Sequence, residues 1–226
     1  MDPASDMAVP LLCRDLLFSD NCAPLTLSLK TGRRCVVQLC DEESADLLLQ
    51  TLIGLRRPAG GQRLLFGTAP ESLPEARRHI LRRRIGVVAD YCGLISNLTV
   101  LENLLLPSEY TGNHDRARLE TSARQMLEKV GYQGEEVCLP GHLKLLQKRQ
   151  VLLARALLTD PELMLFGTFL SGLSVKERAL LLDVALAFQP GESHAATLFL
   201  SSDASFTTRL TDTDVCNLIK GENHDR

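Results

Sequence analysis

The chain has 226 residues, 45% of them hydrophobic, which is enough apolar material to build one well-packed domain. Its net charge of -3 gives no global attraction to nucleic acid or to an anionic membrane, so we expect no nucleic-acid partner. Only 4% of the residues are aromatic and Trp is absent, which argues against surfaces that stack single-stranded bases. No apolar run reaches the about 18 residues that a membrane helix needs.

The amino terminus and the cysteines indicate a reduced, cytoplasmic protein. Residues 1–10 contain two Asp and no Lys or Arg, so they are interpreted as a flexible tail and not as a signal peptide. Seven cysteines occur without a CxxC pair. Cys35, Cys40 and Cys92 lie in apolar runs and are interpreted as buried small hydrophobic residues. We therefore expect neither a metal ion nor a disulfide.

Strands and helices alternate along most of the chain. The expected strands are 35–39, one after the turn that starts at 56, 85–88, 162–166 and 197–201; the expected helices are 46–55, 99–106, 116–130, 143–158 and 175–188. This alternation predicts an α/β core with a largely parallel sheet. The helix-rich stretch of roughly 100–158 interrupts it and predicts an inserted helical lobe. We expect one domain over residues 11–226.

Three segments, in this order, resemble the ABC transporter ATPase family. LRRRIGVVADYCGLISNLTVLEN resembles the segment around the Q-loop. RQVLLARALLTDPELMLF resembles the helix after the signature motif together with the next strand, and LSGLS resembles the D-loop region. The resemblance spans almost the whole chain. It implies a RecA-like core of the P-loop type, with a small amino-terminal β subdomain and the helical lobe.

The family's phosphate loop lies between a strand and a helix and has the pattern Gly-x4-Gly-Lys-Ser/Thr. The glycines let backbone N–H groups surround the phosphates, the lysine neutralises charge, and the hydroxyl holds Mg²⁺. Counting back from LIGL, the resemblance places Leu39 at the first glycine, Ser44 at the second, Ala45 at the lysine and Asp46 at the Ser/Thr. No lysine stands between Lys30 and the end of the leucine-rich helix that follows.

The same loop is acidic, with carboxylates at Asp41, Glu42, Glu43 and Asp46. Two like unit charges about 6 Å apart repel by about 2–3 kcal/mol at an effective dielectric of about 20. A helix amino terminus contributes only about 1 kcal/mol in the opposite direction. We expect these carboxylates to cap the following helix; the alternative is a cation site built from Asp41, Glu42 and Asp46.

The Q-loop and signature positions also depart from the family pattern. The resemblance places Asp90 at the Q-loop Gln, which touches the metal and the attacking water, and we expect Asp90 to be solvated. The signature LSGGQ is replaced by Leu143, Lys144, Leu145, Leu146 and Gln147. Leucine side chains fill space where glycine backbone approaches phosphate. Lys144 is interpreted as a solvated residue at the helix end, with attraction of a phosphate as the alternative.

Four further positions lack the expected side chains. The Walker B Asp and Glu, which hold magnesium and polarise water, are replaced by Gly167 and Thr168. Ser174 replaces the D-loop Asp, and Ser202 replaces the switch His. Because so many parts of one site differ, we predict that the chain is not an enzyme and has no cofactor, with ATP and Mg²⁺ absent or weakly bound.

These expectations predict a structural or regulatory subunit of a membrane ABC transporter complex. It would dock on a permease and pair with itself or with a related ABC ATPase, at the cytoplasmic face of the membrane and only through its partner. An apolar set suits the permease contact: Tyr91, Leu94, Ile95, Leu98, Val100 and Leu104. Membership of the core is the alternative for each of them.

Two other functions stay open. One is a soluble interaction module unrelated to transport, and the other is an ATP-binding ABC subunit with an altered site. The basic stretch from Arg77 to Arg84 is interpreted as a solvated helical face paired with Glu71 and Glu75. Contact of this face with anionic lipid or RNA is the alternative.

Overall fold

A computed structural model describes residues 9–19, 22–90, 92–109, 115–187, 195–203, 206 and 214–217 of the chain. The described residues form two compact units. One lies within Met1–Ile85, Glu162–Thr168 and Pro190–Arg226, and the other lies within Gly86–Pro161 and Phe169–Gln189. Most of the predicted tail and Tyr91 lie outside the described residues.

The chain alternates between strands and helices. The strands are β1 Leu11–Leu17, β2 Leu25–Leu29, β3 Arg34–Gln38, β4 Gly60–Leu65, β5 Ile85–Val88, β6 Leu163–Phe166, β7 Ala196–Ser201 and β8 Asp214–Asn217. The helices are α1 Glu42–Leu52, α2 Glu75–Arg82, α3 Val100–Glu109, α4 Arg116–Lys129, α5 Leu145–Leu158 and α6 Val175–Ala187. Short 3-10 turns occur at Pro70–Ser72 and Pro140–His142.

The amino-terminal strands form a three-stranded antiparallel sheet in the order β2-β1-β4. The register of β1 shifts against both neighbours around Asp15, whose φ is 46°. Gly61 of β4 has a φ of 73°, and a Cβ there would come 2.0 Å from the carbonyl oxygen of Asp15. Glycine is therefore required at this bulge. The bulge breaks the two-residue period, which is why the sequence analysis does not predict β1.

The second sheet has five strands in the order β5-β6-β7-β3-β8. β3 runs parallel to β7 and to β8, and β6 runs parallel to β7. β6 and β7 are buried along their whole length, as is typical of near-continuous apolar strands in a parallel sheet. Phe166 stacks on Phe199 with ring centroids 4.7 Å apart. The loops that leave β3, β5 and β6 carry several of the candidate site residues.

In the second unit α3, α4 and α5 pack on one another, and α6 packs on α5. Reciprocal side chain to backbone hydrogen bonds start two of these helices. Thr99 and Glu102 cap α3, and Ser174 and Glu177 cap α6. Each pair follows the Ser/Thr-x-x-Glu capping box, which satisfies backbone N–H groups that the helix itself leaves open.

Several predicted bounds and burials differ from the structure. α1 begins at Glu42 and not at Asp46, because Asp41 caps it. α5 begins two residues later than predicted, and the sequence analysis does not predict β8. Cys35 is buried as expected, but Cys40 is exposed and Cys92 is half-buried. Within the described residues, no helix combines the length and the apolar character that crossing a membrane requires.

Candidate functional site

The loop after β3 is closed by its own first carboxylate. The backbone N–H of Ser44 donates to Oδ1 of Asp41 at 2.6 Å, which makes Asp41 the cap of α1. This hydrogen bond is the main reason that the pKa of Asp41 lies below its ordinary value. Leu39, Ser44 and Ala45 are buried. The expectation that the acidic run caps the helix is confirmed for Asp41.

Two further contacts tie this loop to its surroundings in the same unit. Cys40 Sγ donates to Oδ2 of Asp41 at 3.1 Å and lies 3.3 Å from Oγ of Ser44. Thr168, which follows β6, donates from Oγ1 to Oδ1 of Asp46 at 3.4 Å. The structure thus brings together two predicted site positions, Asp46 and Thr168, that are 122 residues apart in the chain.

The described loop does not fit a magnesium triphosphate held in the phosphate-loop manner. The Ser44 N–H, which would point at a phosphate, already donates to a carboxylate. The loop supplies no lysine, and Glu42 and Glu43 stand exposed in the first turn of α1. Among the described residues, no group of three or more His, Cys, Asp or Glu side chains is placed to hold a metal ion.

The loop after β5 is held by side chains of α5. Oδ1 of Asp90 lies 2.7 Å from Nη2 of Arg149, whose side chain is almost fully buried. Arg155 donates to the carbonyl oxygens of Cys92 at 2.7 Å and of Gly93 at 3.4 Å. The expectation that Asp90 is merely solvated is therefore wrong: its carboxylate is the charge partner of a buried guanidinium.

A buried asparagine fixes the next part of this loop. The Oδ1 atom of Asn103 accepts from the N–H of Ile95 at 2.7 Å. Its Nδ2 donates to the carbonyl oxygens of Ile95, Leu98 and Thr99 at 2.9–3.1 Å. Asn103 is fully buried. The turn that presents Leu94 and Ile95 therefore has a fixed backbone.

The predicted permease-facing set divides by burial. Ile95 is 40% exposed, and Leu94 and Leu98 are half-buried. Val100 and Leu104 are fully buried in the second unit, so these two belong to its core and not to a surface. Among the described residues of the predicted set, Leu94, Ile95 and Leu98 provide the available apolar surface.

The remaining site positions start helices or follow strands. Lys144 is exposed, and its backbone N–H donates to Oε1 of Gln147 at 2.9 Å where α5 begins. Leu145 is partly exposed and Leu146 is half-buried. Gly167 is buried after β6, Ser174 caps α6, and Ser202 is half-buried after β7. None of the described contacts of these residues gives them a chemical role.

The basic stretch is paired within its own unit. Glu75 lies 2.7 Å from Arg78, 3.2 Å from His79 and 3.8 Å from Arg82. Arg84 makes two hydrogen bonds, of 2.5 and 2.6 Å, to the carboxylate of Glu162. The predicted pairing with Glu75 is present.

The partner expected of Glu71 is different. Glu71 pairs with the buried Arg63 of β4 and not with the arginines of α2.

Sequence reasoning missed Asn103, Arg149, and the proximity of Cys22 to Cys40. Arg149 and the cysteine pair owe their positions to residues that are distant in the chain, whereas the partners of Asn103 lie four to eight residues before it and form no recognisable pattern. A capping box at Thr99 and Glu102 shows where α3 begins, but it does not show that the next residue, Asn103, turns inward. Cys22 and Cys40 are 18 positions apart, and the turn at Thr31 and Gly32 between them does not by itself indicate that the two thiols meet.

The chain matches known proteins over most of its length. A family model described as "ABC transporter" matches residues 47–166. Methionine import ATP-binding protein MetN of Rhizobium meliloti is 29% identical over 87% of this chain. Lipoprotein-releasing system ATP-binding protein LolD of Chromohalobacter salexigens is 33% identical over 62% of it. The matches span only 54% and 60% of these two relatives.

Solved structures show the same fold. cbiO1 of Clostridium perfringens, described as part of an ABC transporter complex, matches with a TM-score of 0.77 over 94% of this chain and 88% of its own, at 15% identity. A dimeric bacterial ABC transporter cassette matches with a TM-score of 0.77 over 92% and 94%, at 18% identity. The predicted α/β fold of the P-loop type is therefore confirmed.

The relatives overturn two predictions made from the sequence. We predicted that the chain is not an enzyme and that it has no cofactor. MetN and LolD are both named ATP-binding proteins, which contradicts these two predictions. The contacts of the loop after β3 show how this loop is built. They do not by themselves show that the subunit works without ATP.

Proposed function

The chain belongs to the ABC transporter family, and from this premise we propose that it is the ATP-binding subunit of a membrane transporter complex, with an altered nucleotide site. The names of MetN and LolD support the ATP-binding role. The names of these two relatives refer to different cargoes, methionine and lipoprotein. Membership of the family alone therefore assigns no cargo to this chain. The proposal therefore concerns the role of the subunit and its partners.

The observation that carries the docking part of the proposal is the fixed apolar turn after β5. Asn103 holds the backbone from Ile95 to Thr99 by four hydrogen bonds, and Arg155 holds the residues just before it. The turn thereby presents Ile95 with 40% of its surface exposed. A rigid apolar side chain loses little conformational freedom when a partner covers it, so it suits a permanent docking contact.

We further propose that the subunit pairs with itself or with a related cassette, and that it sits at the cytoplasmic face of a membrane through its permease. The dimeric cassette of the same fold supports the pairing. The apolar turn supports the attachment through a protein partner. The altered nucleotide site is the loop after β3, where Asp41, Glu42 and Glu43 replace a neutral and basic cradle.

The test is recovery of the native complex from membranes with a tagged chain, followed by identification of its members. We expect an integral membrane permease to co-purify with the wild-type chain. Ile95→Asp should reduce its recovery about tenfold or more, because a carboxylate would be buried without a partner.

Val137→Asp is the matched control, since Val137 lies in the same unit and is 66% exposed but outside the turn. This variant should leave permease recovery unchanged. If no membrane protein co-purifies with the wild-type chain, transport is the wrong context, and a soluble interaction module becomes the better interpretation.

A further inference from the structure

Two cysteines of the first unit lie close together at the acidic loop. Cys22 Sγ and Cys40 Sγ are 3.7 Å apart, although the residues are separated by 18 positions in the chain. Cys22, which precedes β2, is 1% exposed, and Cys40, between β3 and α1, is exposed. Both are free thiols in this structure. This arrangement combines one accessible thiol with one buried thiol within reach of it.

We propose that Cys22 and Cys40 form an oxidant-responsive disulfide that fastens the loop before α1 to the segment before β2. A disulfide bond is about 2 Å long, so the two sulfur atoms need to approach by about 1.7 Å. In this proposal the exposed side chain of Cys40 rotates to supply the movement. The inference goes beyond the proposed function, because it needs neither a permease nor a nucleotide.

The two thiols have different chemical roles. Burial raises the pKa of Cys22 and shields its sulfur from oxidants in the solvent. The exposed Cys40 is therefore the thiol that an oxidant meets first, and Cys22 is the resolving thiol. Because the acidic residues Asp41, Glu42 and Glu43 directly follow Cys40 in the chain, a small neutral oxidant such as hydrogen peroxide is favoured over an anionic one.

The reaction balances in two steps. Cys40 is oxidised by hydrogen peroxide to a sulfenic acid, and one water molecule is released. The Cys22 sulfur then attacks the Cys40 sulfur, the sulfenic oxygen leaves as a second water molecule with the thiol proton, and the disulfide forms. In sum, two thiols lose two hydrogen atoms and one peroxide becomes two water molecules. A dithiol reductant reverses the change.

The disulfide would alter the contacts of the loop. Cys40 now donates its S–H to Oδ2 of Asp41 and touches Oγ of Ser44. Oxidation removes this donor and replaces it with a covalent tie to Cys22. The first turn of α1, where Asp41 accepts from Ser44, is then anchored to a second segment of the same unit.

The test is peptide mapping of the whole reduced protein after mild treatment with hydrogen peroxide, with the remaining thiols blocked before digestion. Trypsin releases Cys22 in the peptide 15–30 and Cys40 in the peptide 35–56, which also contains Cys35. We expect these two peptides to be linked, and to separate again after treatment with dithiothreitol. Fragmentation of the linked pair must place the bond at Cys40 and not at Cys35.

Matched variants make the outcome decisive. Cys40→Ser and Cys22→Ser should each abolish the link, and Cys138→Ser should leave it intact. Oxidation should raise the thermal midpoint of the wild-type protein by about 5 °C and leave that of Cys22→Ser unchanged. A link at Cys35, or oxidation of Cys40 to a sulfinic acid with Cys22 still free, would overturn the proposal, as would a wild-type midpoint that does not move.

Discussion

The loop after β3 is closed by its own carboxylate, whereas the loop after β5 is held by side chains from α3 and α5. In the first loop Asp41 caps α1 from a position directly before the helix. In the second loop Asn103, Arg149 and Arg155 act on backbone and side chains that are 4 to 63 residues away. The first loop is therefore set by local chemistry, and the second depends on the packing of the second unit.

This difference separates two ways of fixing a loop in one protein. The first loop is acidic, and it keeps a well-formed helix start because Asp41 accepts a hydrogen bond from the backbone N–H of Ser44. In the second loop Asp90 pairs with Arg149, and the apolar turn is held by Asn103.

Replacing Asn103 with Ala should have the largest effect, because it tests whether the second loop depends on packing. The change removes four side-chain hydrogen bonds and takes away the acceptor of the Ile95 N–H. We expect a loss of about 3 kcal/mol in the free energy of unfolding, measured by urea denaturation. Asn97→Ala, at an exposed position of the same loop, should cost less than about 0.5 kcal/mol. Equal small losses in the two variants would show that the turn is held in another way.

Asp90→Asn tests the pairing of this loop with α5. It removes the charge partner of Arg149, whose side chain is buried, so the variant should lose stability. Because 63% of the Asp90 side chain is exposed, water offsets part of the loss, and we expect about 1–2 kcal/mol by urea denaturation. Arg149→Met added to Asp90→Asn should recover part of this loss, and the exposed Asp183→Asn should change nothing. Failure of the second substitution to recover stability would mean that the guanidinium is solvated.

The sequence could predict the parts of the fold that depend on local periodicity. The strand Ile85–Val88 and the core of each long helix agree with the apolar pattern. The predicted start of α1 is four residues too late, because the acidic run resembles a loop although Asp41 caps a helix there. β1 is not predicted, because its apolar pattern is interrupted by the bulge at Asp15. This bulge requires the glycine at position 61, which is distant in the chain.

The candidate site was harder to predict than the fold. Counting from matched segments gave the positions of Asp46, Asp90 and Thr168, but it could not give their partners. Asp46 meets Thr168 and Asp90 meets Arg149 only after strands and helices have packed. The substitutions that the resemblance implies at the catalytic positions lead to the prediction that the chain has no cofactor. The ATP-binding names of the relatives correct that step.

Neutralising the first loop tests whether its charge controls nucleotide affinity. Glu42→Gln combined with Glu43→Gln removes two carboxylates from the first turn of α1. If ATP binds at this loop, the lower repulsion should tighten Mg–ATP binding about tenfold at low salt, and less at high salt. Fluorescent ATP titration measures the change. Glu128→Gln combined with Glu135→Gln, at exposed positions of the other unit, is the charge-matched control and should leave the affinity unchanged. Equal affinities in both double variants would place ATP away from this loop.

Asp41 gives the smallest but most specific test, because it asks whether the first loop is set by its own cap. Asp41→Ala should cost about 1 kcal/mol of unfolding free energy at pH 7, and Asp41→Asn only a few tenths, since Asn also caps helices.

The difference in stability between wild type and Asp41→Ala should depend on pH, because the pKa of Asp41 is lowered in the folded protein. The hydrogen bond from the Ser44 N–H is the main cause of this lowering. A carboxyl whose pKa is lower in the folded state binds protons more readily when the chain is unfolded. The contribution of the Asp41 carboxylate to stability is complete above its pKa in the unfolded chain, about 3.9. This contribution is lost as the pH falls through the pKa in the folded protein. The gap between wild type and Asp41→Ala in urea denaturation should therefore be constant from pH 7 to pH 5 and should narrow at pH 3. A stability difference that stays the same at pH 3 would mean that Asp41 caps the helix without its charge. The loop would then differ from its family more in sequence than in electrostatic properties.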